Sequence, residues 1–292
     1  MKQHRFHLSR EVREKLGTFD LFAMRRADGD TEEEKGCDME DRSLEAAVMD
    51  HTQGDGLYAV SLSHIGCVRT SNQDAVILDP PIFGVADGMG GHQGGETASR
   101  MCRDGVVSLL KPREQDLDTL VNAVRIVNRR IHLTASEDPK LLGMGTTLTC
   151  LWFGKERVHI AHVGDSRLYL LREGALRQVT DDHSMVMEMV RAGIITREQA
   201  RSHPMRNVIT RAVGTERSLE VDALSDSRKK GDVWLICSDG LYGQVTEDAL
   251  QKAMEMDDLE AAARTLMEAA LEAGGPDNIS LILLRDEGAE DE

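Results

Sequence analysis

Four aspartates stand where apolar runs begin or end. Asp87 follows Ile82-Phe83-Gly84-Val85-Ala86 and precedes Gly88-Met89-Gly90-Gly91. Asp239 closes Trp234-Leu235-Ile236-Cys237-Ser238 and is again followed by glycine. Asp165 lies in Ile160-Ala161-His162-Val163-Gly164-Asp165-Ser166-Arg167, and Asp277 comes just ahead of the apolar run from Ile279 to Leu284. Glycines beside an acid at a strand edge let carboxylate and carbonyl oxygens approach one point, which is what hard cations bind. One Asp-Gly after a strand is ordinarily a turn. Four such acids, far apart in sequence, suit a cation site assembled by folding.

Carboxylates crowded together raise one another's pKa unless something compensates their charge. Divalent cations do so. Two metals about 4 Å apart, bridged by one carboxylate, bring a shared water toward a pKa near 7 and hold it as hydroxide, a nucleophile for phosphorus or carbonyl centres. Arg69 selects between the two. It shares a loop with Asn72 and Asp74, and a guanidinium presents two parallel donors that match phosphate oxygens. Taken alone, Arg69 would be a surface residue.

Other phosphate chemistries fail on the residues. No cysteine has Arg six positions on; Ser43, Gln73, Ser108, Glu156 and Gly243 stand there. Asp28-Gly29-Asp30 and Asp116-Leu117-Asp118 follow no strand and lack the Thr or Val of an aspartyl-phosphate motif. There is no GxxxxGK[ST], HxxxH or HExxH, so neither a P-loop nor a zinc site is expected.

The elements that must position these groups read as follows. Strands are expected at 57–63, 75–78, 82–86, 147–153, 157–163, 167–171, 232–237 and 279–284, with the three from 147 to 171 as a meander of hairpins. One helix opens at Glu96, with Ala98, Met101, Val106 and Leu109 on its apolar face. Another runs from Leu117 to about Thr134 with Leu120, Val121, Val124, Val127 and Ile131 inward. Helices also follow Thr246 and span Asp258 to Ala273, stopped by Gly274-Gly275-Pro276. Residues 181–216 turn polar and helical, with a capping box at Thr196-Arg197-Glu198-Gln199. Hairpin runs with helix pairs between them give an α+β layered domain over 55–285. Residues 1–54 read as a charged, partly ordered or disordered extension, with a short helix capped by Ser9 and carrying Val12 and Leu16. Residues 286–292 read as a solvated acidic tail.

A net charge of −16 argues against nucleic acid or an anionic membrane as partner. No apolar run is long enough to span a bilayer, and the first residues lack a signal-peptide core. Five scattered cysteines without a CxxC pair suit a reducing cytoplasm.

Seven motifs taken together resemble the metal-dependent protein serine/threonine phosphatases of the PPM (PP2C) family, bacterial branch. They are Val68-Arg69-Thr70-Ser71-Asn72-Gln73-Asp74, Val85-Ala86-Asp87-Gly88-Met89-Gly90-Gly91-His92, Gly143-Met144-Gly145-Thr146-Thr147, Val163-Gly164-Asp165-Ser166-Arg167, Arg206-Asn207-Val208-Ile209-Thr210-Arg211, Ser238-Asp239-Gly240-Leu241 and Pro276-Asp277-Asn278-Ile279. They stand in the family's order over about 55–285. The resemblance implies an α-β-β-α sandwich of two antiparallel sheets flanked by helix pairs, with two Mn²⁺ or Mg²⁺ ions at one end. Asp87 would bridge both ions, the Gly88 carbonyl would ligate one, and Asp239 and Asp277 would hold the other. Asp165 with Asp239 would form a third, weaker site. Arg69 would bind substrate phosphate, with Gln73, Asp74 and Asn278 behind the ligands. Residues 181–216 would be a mobile flap carrying His203.

The implied activity is hydrolysis of phosphoserine and phosphothreonine on proteins by direct attack of the bridging hydroxide. The implied setting is opposite a Ser/Thr kinase in bacterial signalling; a cytoplasmic location is expected, and a monomer is favoured with the oligomeric state left open. Two departures concern the proton and one charge. Met89 stands where eukaryotic members carry a histidine general acid, leaving His92 as a faint candidate. Gln73 replaces an acidic residue. A pseudophosphatase that binds a phosphorylated partner without hydrolysing it is the reading from another class; it would be expected to lack a metal acid, and none is missing here.

Overall fold

The computed structural model describes residues 44, 47–90, 94–111, 113 and 115–288. The helix expected after Ser9, Cys37, His92 and the last four residues lie outside them. The strands are β1 (Val48–Gly54), β2 (Leu57–His64), β3 (Asp74–Asp79), β4 (Ile82–Met89), β5 (Gly145–Thr146), β6 (Leu148–Phe153), β7 (Arg157–Val163), β8 (Arg167–Arg172), β9 (Ala175–Gln178), β10 (Asp222–Ser227), β11 (Val233–Cys237) and β12 (Ile279–Asp286). The helices are α1 (Gly94–Leu110), α2 (Leu117–Glu137), α3 (Met185–Arg191), α4 (Arg197–Arg201), α5 (Asp239–Tyr242), α6 (Glu247–Met254) and α7 (Leu259–Glu272).

Every strand pairing is antiparallel, and the strands form two sheets, ordered β1-β2-β12-β11-β8-β9 and β10-β7-β6-β4-β3, with β5 attached to β4. The period-2 alternation of a strand decides the layers. Trp234 and Ile236 of β11 join Phe83, Val85, Leu151 and Ile160 in a core between the sheets. The alternate residues Leu235 and Cys237 face α6 and α7 instead. On the other side, Ala86, Cys150 and Ala161 meet α1 and α2. Central strands are thus apolar on both faces, and the order is helices, sheet, sheet, helices: the α+β sandwich expected. Phe153 stands edge-on to Phe83 and to Trp234, at ring separations of 5.8 and 6.3 Å, and so ties one sheet to the other.

Three expectations are corrected, and two strands stand where none was expected. Val48–Gly54 is not part of the extension: it is the edge strand beside β2, seven residues in register from Val48 opposite Ser63 to Gly54 opposite Leu57. Asp286, placed by sequence in a solvated tail, ends β12 with its side chain sealed against Arg228 at 2.7 Å. The hairpin meander holds only for β6 and β7; β8 belongs to the other sheet. The Gly164–Ser166 crossing between sheets needs glycine, since Gly164 has φ +106° and a Cβ there would stand 2.6 Å from Thr147. Finally β9 and β10, with the polar sequences ALRQ and DALSDS, are strands through pairing with their neighbours alone.

Candidate active site

Strand β4 continues past Ala86 through Asp87 and Gly88 to Met89, because β5 supplies a partner to Gly88 and Met89. In the β3–β4 register Asp74 lies directly opposite Asp87. The Asp87 amide donates to Thr147 Oγ1 at 2.9 Å, while its carbonyl accepts from Thr147 N–H and Thr146 Oγ1 at 2.9 and 3.0 Å. The main chain of the acid is therefore fixed on both sides. Gly88 donates to the Gln73 carbonyl at 3.1 Å. A Cβ at Gly88 would lie 2.2 Å from the Gly95 carbonyl oxygen and 2.6 Å from that of Gln73, so only glycine fits.

Asn278 organises the opposite wall. Its Oδ1 accepts the Gln73 amide at 2.8 Å, and its Nδ2 donates to the Ile65 and Ser71 carbonyls at 2.8 and 2.9 Å. One buried amide side chain thereby holds both ends of the loop that carries Arg69. Asp277, next to it, is gripped by that arginine: Nε on Oδ1 and Nη2 on Oδ2, each at 2.9 Å.

Asp74 reports the charge of the place. Ser238 Oγ, one residue before Asp239, donates to its Oδ2 at 2.9 Å. Its Oδ1 is sealed from solvent with no hydrogen-bond partner among the described residues. Burial, aided by the negative charges of Asp277 and Asp239 and opposed by the Ser280 and Ser238 hydroxyls, pushes its carboxyl up to about 7. Asp165, 3% exposed, sits in the turn between the sheets, and burial with Asp165, Asp182 and Asp239 nearby pushes the Tyr242 hydroxyl well above its ordinary range.

Residues 181–216 contain α3 and α4, with the capping box at Thr196 formed as expected. The segment returns to the core where Val213 bridges Thr146. Met89 carries no proton to give and instead packs on Ile209 and Ala212 of this segment. His203 Nδ1 accepts the Met205 amide at 3.2 Å, a contact local to the flap. A cavity of about 320 Å³ is lined by Glu188, Arg211 and Glu216 of this segment and by Glu220 beyond it. Asn128 was not marked by sequence. Its Oδ1 accepts the Gly214 amide and its Nδ2 donates to the Glu216 carbonyl, clasping the end of the flap segment to α2. A polar residue on the apolar face of a periodic helix was the available signal.

The donor set, carboxylates with a glycine-exposed backbone, is that of a hard cation, and burial first, then the charges of Asp277 and Asp239, hold the Asp74 carboxyl above its ordinary range. In the side-chain positions observed, no three His, Cys, Asp or Glu side chains among the described residues stand together closely enough to hold one ion. Asp277 is occupied with Arg69. The chemistry and backbone fit a divalent metal.

Residues 64–277 match the family model described as protein phosphatase 2C. The chain belongs to the protein phosphatase 2C family. Among PP2C relatives, the serine/threonine protein phosphatase PstP of Mycobacterium tuberculosis is 39% identical over 224 residues, covering 75% of this chain and 43% of the relative. The chain thus spans less than half the length of that protein. The serine/threonine phosphatase stp of Listeria welshimeri is 41% identical over 221 residues, covering 70% of this chain and 84% of the relative. A crystal structure of the M. tuberculosis phosphatase superposes with TM-score 0.76 at 38% identity, over 79% of this chain and 99% of that one. The PstP catalytic domain in complex with two manganese ions gives TM-score 0.73 at 36% identity, over 78% and 97%. Among the described residues, no helix is long and apolar enough to cross a membrane.

Proposed function

We propose that this PP2C chain hydrolyses phosphoserine and phosphothreonine on proteins in a reaction that depends on Mn²⁺ or Mg²⁺. The observation that carries the reading is the convergence on Asp74. It faces Asp87 across a strand pair, takes a hydrogen bond from the residue before Asp239, and feels the charges of Asp277 and Asp239. Three distant chain segments thus bring acids to one end of the sandwich.

Asp87 and the Gly88 carbonyl would hold one ion and Asp87, Asp239 and Asp277 the other, with Asp165 and Asp239 for a third. When bound, the metals supply Lewis-acid activation of water and of the phosphoryl oxygens. The chain's own residues do the rest. Arg69 orients the phosphoryl group by its paired donors, on a loop that Asn278 holds at both ends. Asp74 and Ser238 fix the approach of Asp239. Met89 packs on Ile209 and Ala212 of the flap segment and has no proton to offer the reaction. The same reading sets the chain against a Ser/Thr kinase acting on the same proteins.

The test is a manganese titration of hydrolysis on phosphothreonine, phosphoserine and phosphotyrosine peptides, with Asp239→Asn in parallel. Expected are metal-dependent turnover on the first two and its loss in the variant. Turnover that persists in chelator, or an unimpaired Asp239→Asn, overturns the reading.

The Arg69–Asp277 pair favours a second reading, a phosphoprotein-binding module without hydrolysis. Calorimetry separates the two, since such a module would bind a phosphopeptide while taking up no Mn²⁺ pair.

A further inference from the structure

One guanidinium joins the root of the flap segment to the short helix that carries Asp239. Arg167 opens β8 two residues after Asp165, and its backbone pairs with Cys237, two residues before Asp239. Its Nε donates to both Asp182 oxygens at 3.0 and 3.2 Å, its Nη2 to Asp182 Oδ2 at 2.8 Å, and its Nη1 to Tyr169 Oη at 3.0 Å. The flat face of the same group lies 3.7 Å from the ring centroid of Tyr242.

Both contacts lead somewhere. Asp182 lies at the root of the flap segment; its carbonyl accepts from Arg191 of α3, and its neighbour His183 exchanges hydrogen bonds with Gly164 at 2.7 and 3.0 Å. Tyr242 ends the one-turn helix that Asp239 begins, a turn closed by the Gly243 amide on the Asp239 carbonyl at 2.8 Å. Buried ion pairs contribute little net stability, because desolvation offsets their attraction. What this one provides is geometry: a planar fork and a planar face used at once, which a lysine cannot reproduce.

We infer that Arg167 is a positioning residue that sets α5, and with it Asp239, through Tyr242, and couples that placement to the flap root through Asp182. The inference rests on the phosphatase reading for the meaning of Asp239, but the coupling is a property of the metal-free chain. When the guanidinium shifts, flap root and acid shift together.

The experiment compares Arg167→Lys, Tyr242→Leu and Tyr242→Phe in the full chain. Hydrogen exchange in chelator is read at 182–191 and 239–243, and calorimetry with Mn²⁺ alone gives metal affinity. Arg167→Lys is expected to speed exchange in both segments and to weaken Mn²⁺ binding about tenfold, the usual scale for a residue that orients a ligand. Tyr242→Leu, which leaves the Asp182 pair intact and guards against a lysine variant that folds poorly, should weaken Mn²⁺ binding and loosen 239–243. Tyr242→Phe keeps the ring face and should match the parent in both readouts. Faster exchange confined to β8, or an Arg167→Lys chain that is less stable yet binds Mn²⁺ as tightly as the parent, overturns the inference. A parent chain that binds no Mn²⁺ overturns the proposed function instead, and the paired exchange of the two segments still decides the coupling.

Discussion

Arg69 and Asp277 hold each other through two parallel hydrogen bonds of 2.9 Å. The partners sit on a loop and a turn that Asn278 stitches together, so the pairing is built into the fold. On the proposed function each is wanted elsewhere, the guanidinium by a phosphoryl group and the carboxylate by a cation. A cation on Asp277 and an anion on Arg69 therefore help each other, because each frees the other's partner. Linkage requires the help to be mutual. Inorganic phosphate should bind more tightly with Mn²⁺ present than in chelator, by about fivefold or more for a coupling of this kind. Equal affinity in both conditions, read by calorimetry, would show that the pair does not open.

If Arg69 binds the substrate phosphate as proposed, Arg69→Ala removes both of its donors. Hydrogen bonds to a charged group contribute about 1.5–3 kcal/mol, so the Michaelis constant for a phosphothreonine peptide should rise on the order of 10- to 100-fold. Steady-state kinetics should show a smaller change in kcat, because the arginine grips substrate and transition state alike. A fall in kcat alone would place Arg69 outside substrate binding.

Gly88→Ala should be strongly disruptive. Its Cβ would overlap the Gly95 and Gln73 carbonyls at 2.2 and 2.6 Å, and backbone cannot move aside as a side-chain tip can. A loss of about 3 kcal/mol or more is expected. Gly174→Ala is the control: φ is +76° with nothing within 4 Å, so only left-handed strain of about 1–2 kcal/mol applies. Thermal unfolding of the two variants in chelator should rank them in that order.

Much of this was legible in the sequence, for physical reasons that also mark where legibility ends. Strands buried on both faces, such as Trp234–Cys237, announce themselves by continuous apolar runs. The starts of the helices after Thr246 and at Asp258 show in the chain because capping is local. Strand β10 does not show: Asp222–Ser227 has no apolar face, and its partner β7 lies some sixty residues earlier. The sheet switch after β7 was equally hidden, since a short turn reads the same whether the next strand pairs back or crosses. For the site, the acids were readable as a set. That Asp74 stands opposite Asp87, or that Arg69 holds Asp277, depends on register and rotamer, which no spacing encodes.

Stability should fall with acid through His162. Buried beside β6, its Nδ1 meets Thr149 Oγ1 at 2.9 Å and its Nε2 the Asp181 carbonyl at 3.1 Å. Burial, with the neighbouring His183 ring, lowers its pKa from 6.5 to about 4. The unfolded chain therefore takes up the proton first. The stabilisation is complete above about pH 6.5 and is lost as pH falls toward 4, at up to about 1.4 kcal/mol per unit. His183, also shifted down by burial, steepens the slope. Urea unfolding from pH 7.5 to 4.5 in chelator should show the decline, and His162→Gln should flatten it; an unchanged slope in the variant would assign the loss to other groups.

Truncation of the first residues must respect β1. Leu44, Ala47 and Met49 pack against the cluster under α6 and α7, and Val48–Gly54 covers the edge of β2. Strand β2 is almost wholly buried, with Leu57, Ala59, Val60 and Leu62 inside, so removing its cover bares a row of main-chain donors and acceptors beside apolar surface. Such an edge invites pairing with another chain. A chain starting at residue 44 should keep the parent's unfolding midpoint and remain unassociated relative to it, and any loss of activity on protein substrates would then report a docking role for residues 1–43. A chain starting at residue 55 should unfold at lower temperature and self-associate in light scattering, whatever that role is. If the shorter chain is as stable and as monodisperse as the longer one, β1 is an ornament on the sheet and the domain begins at β2.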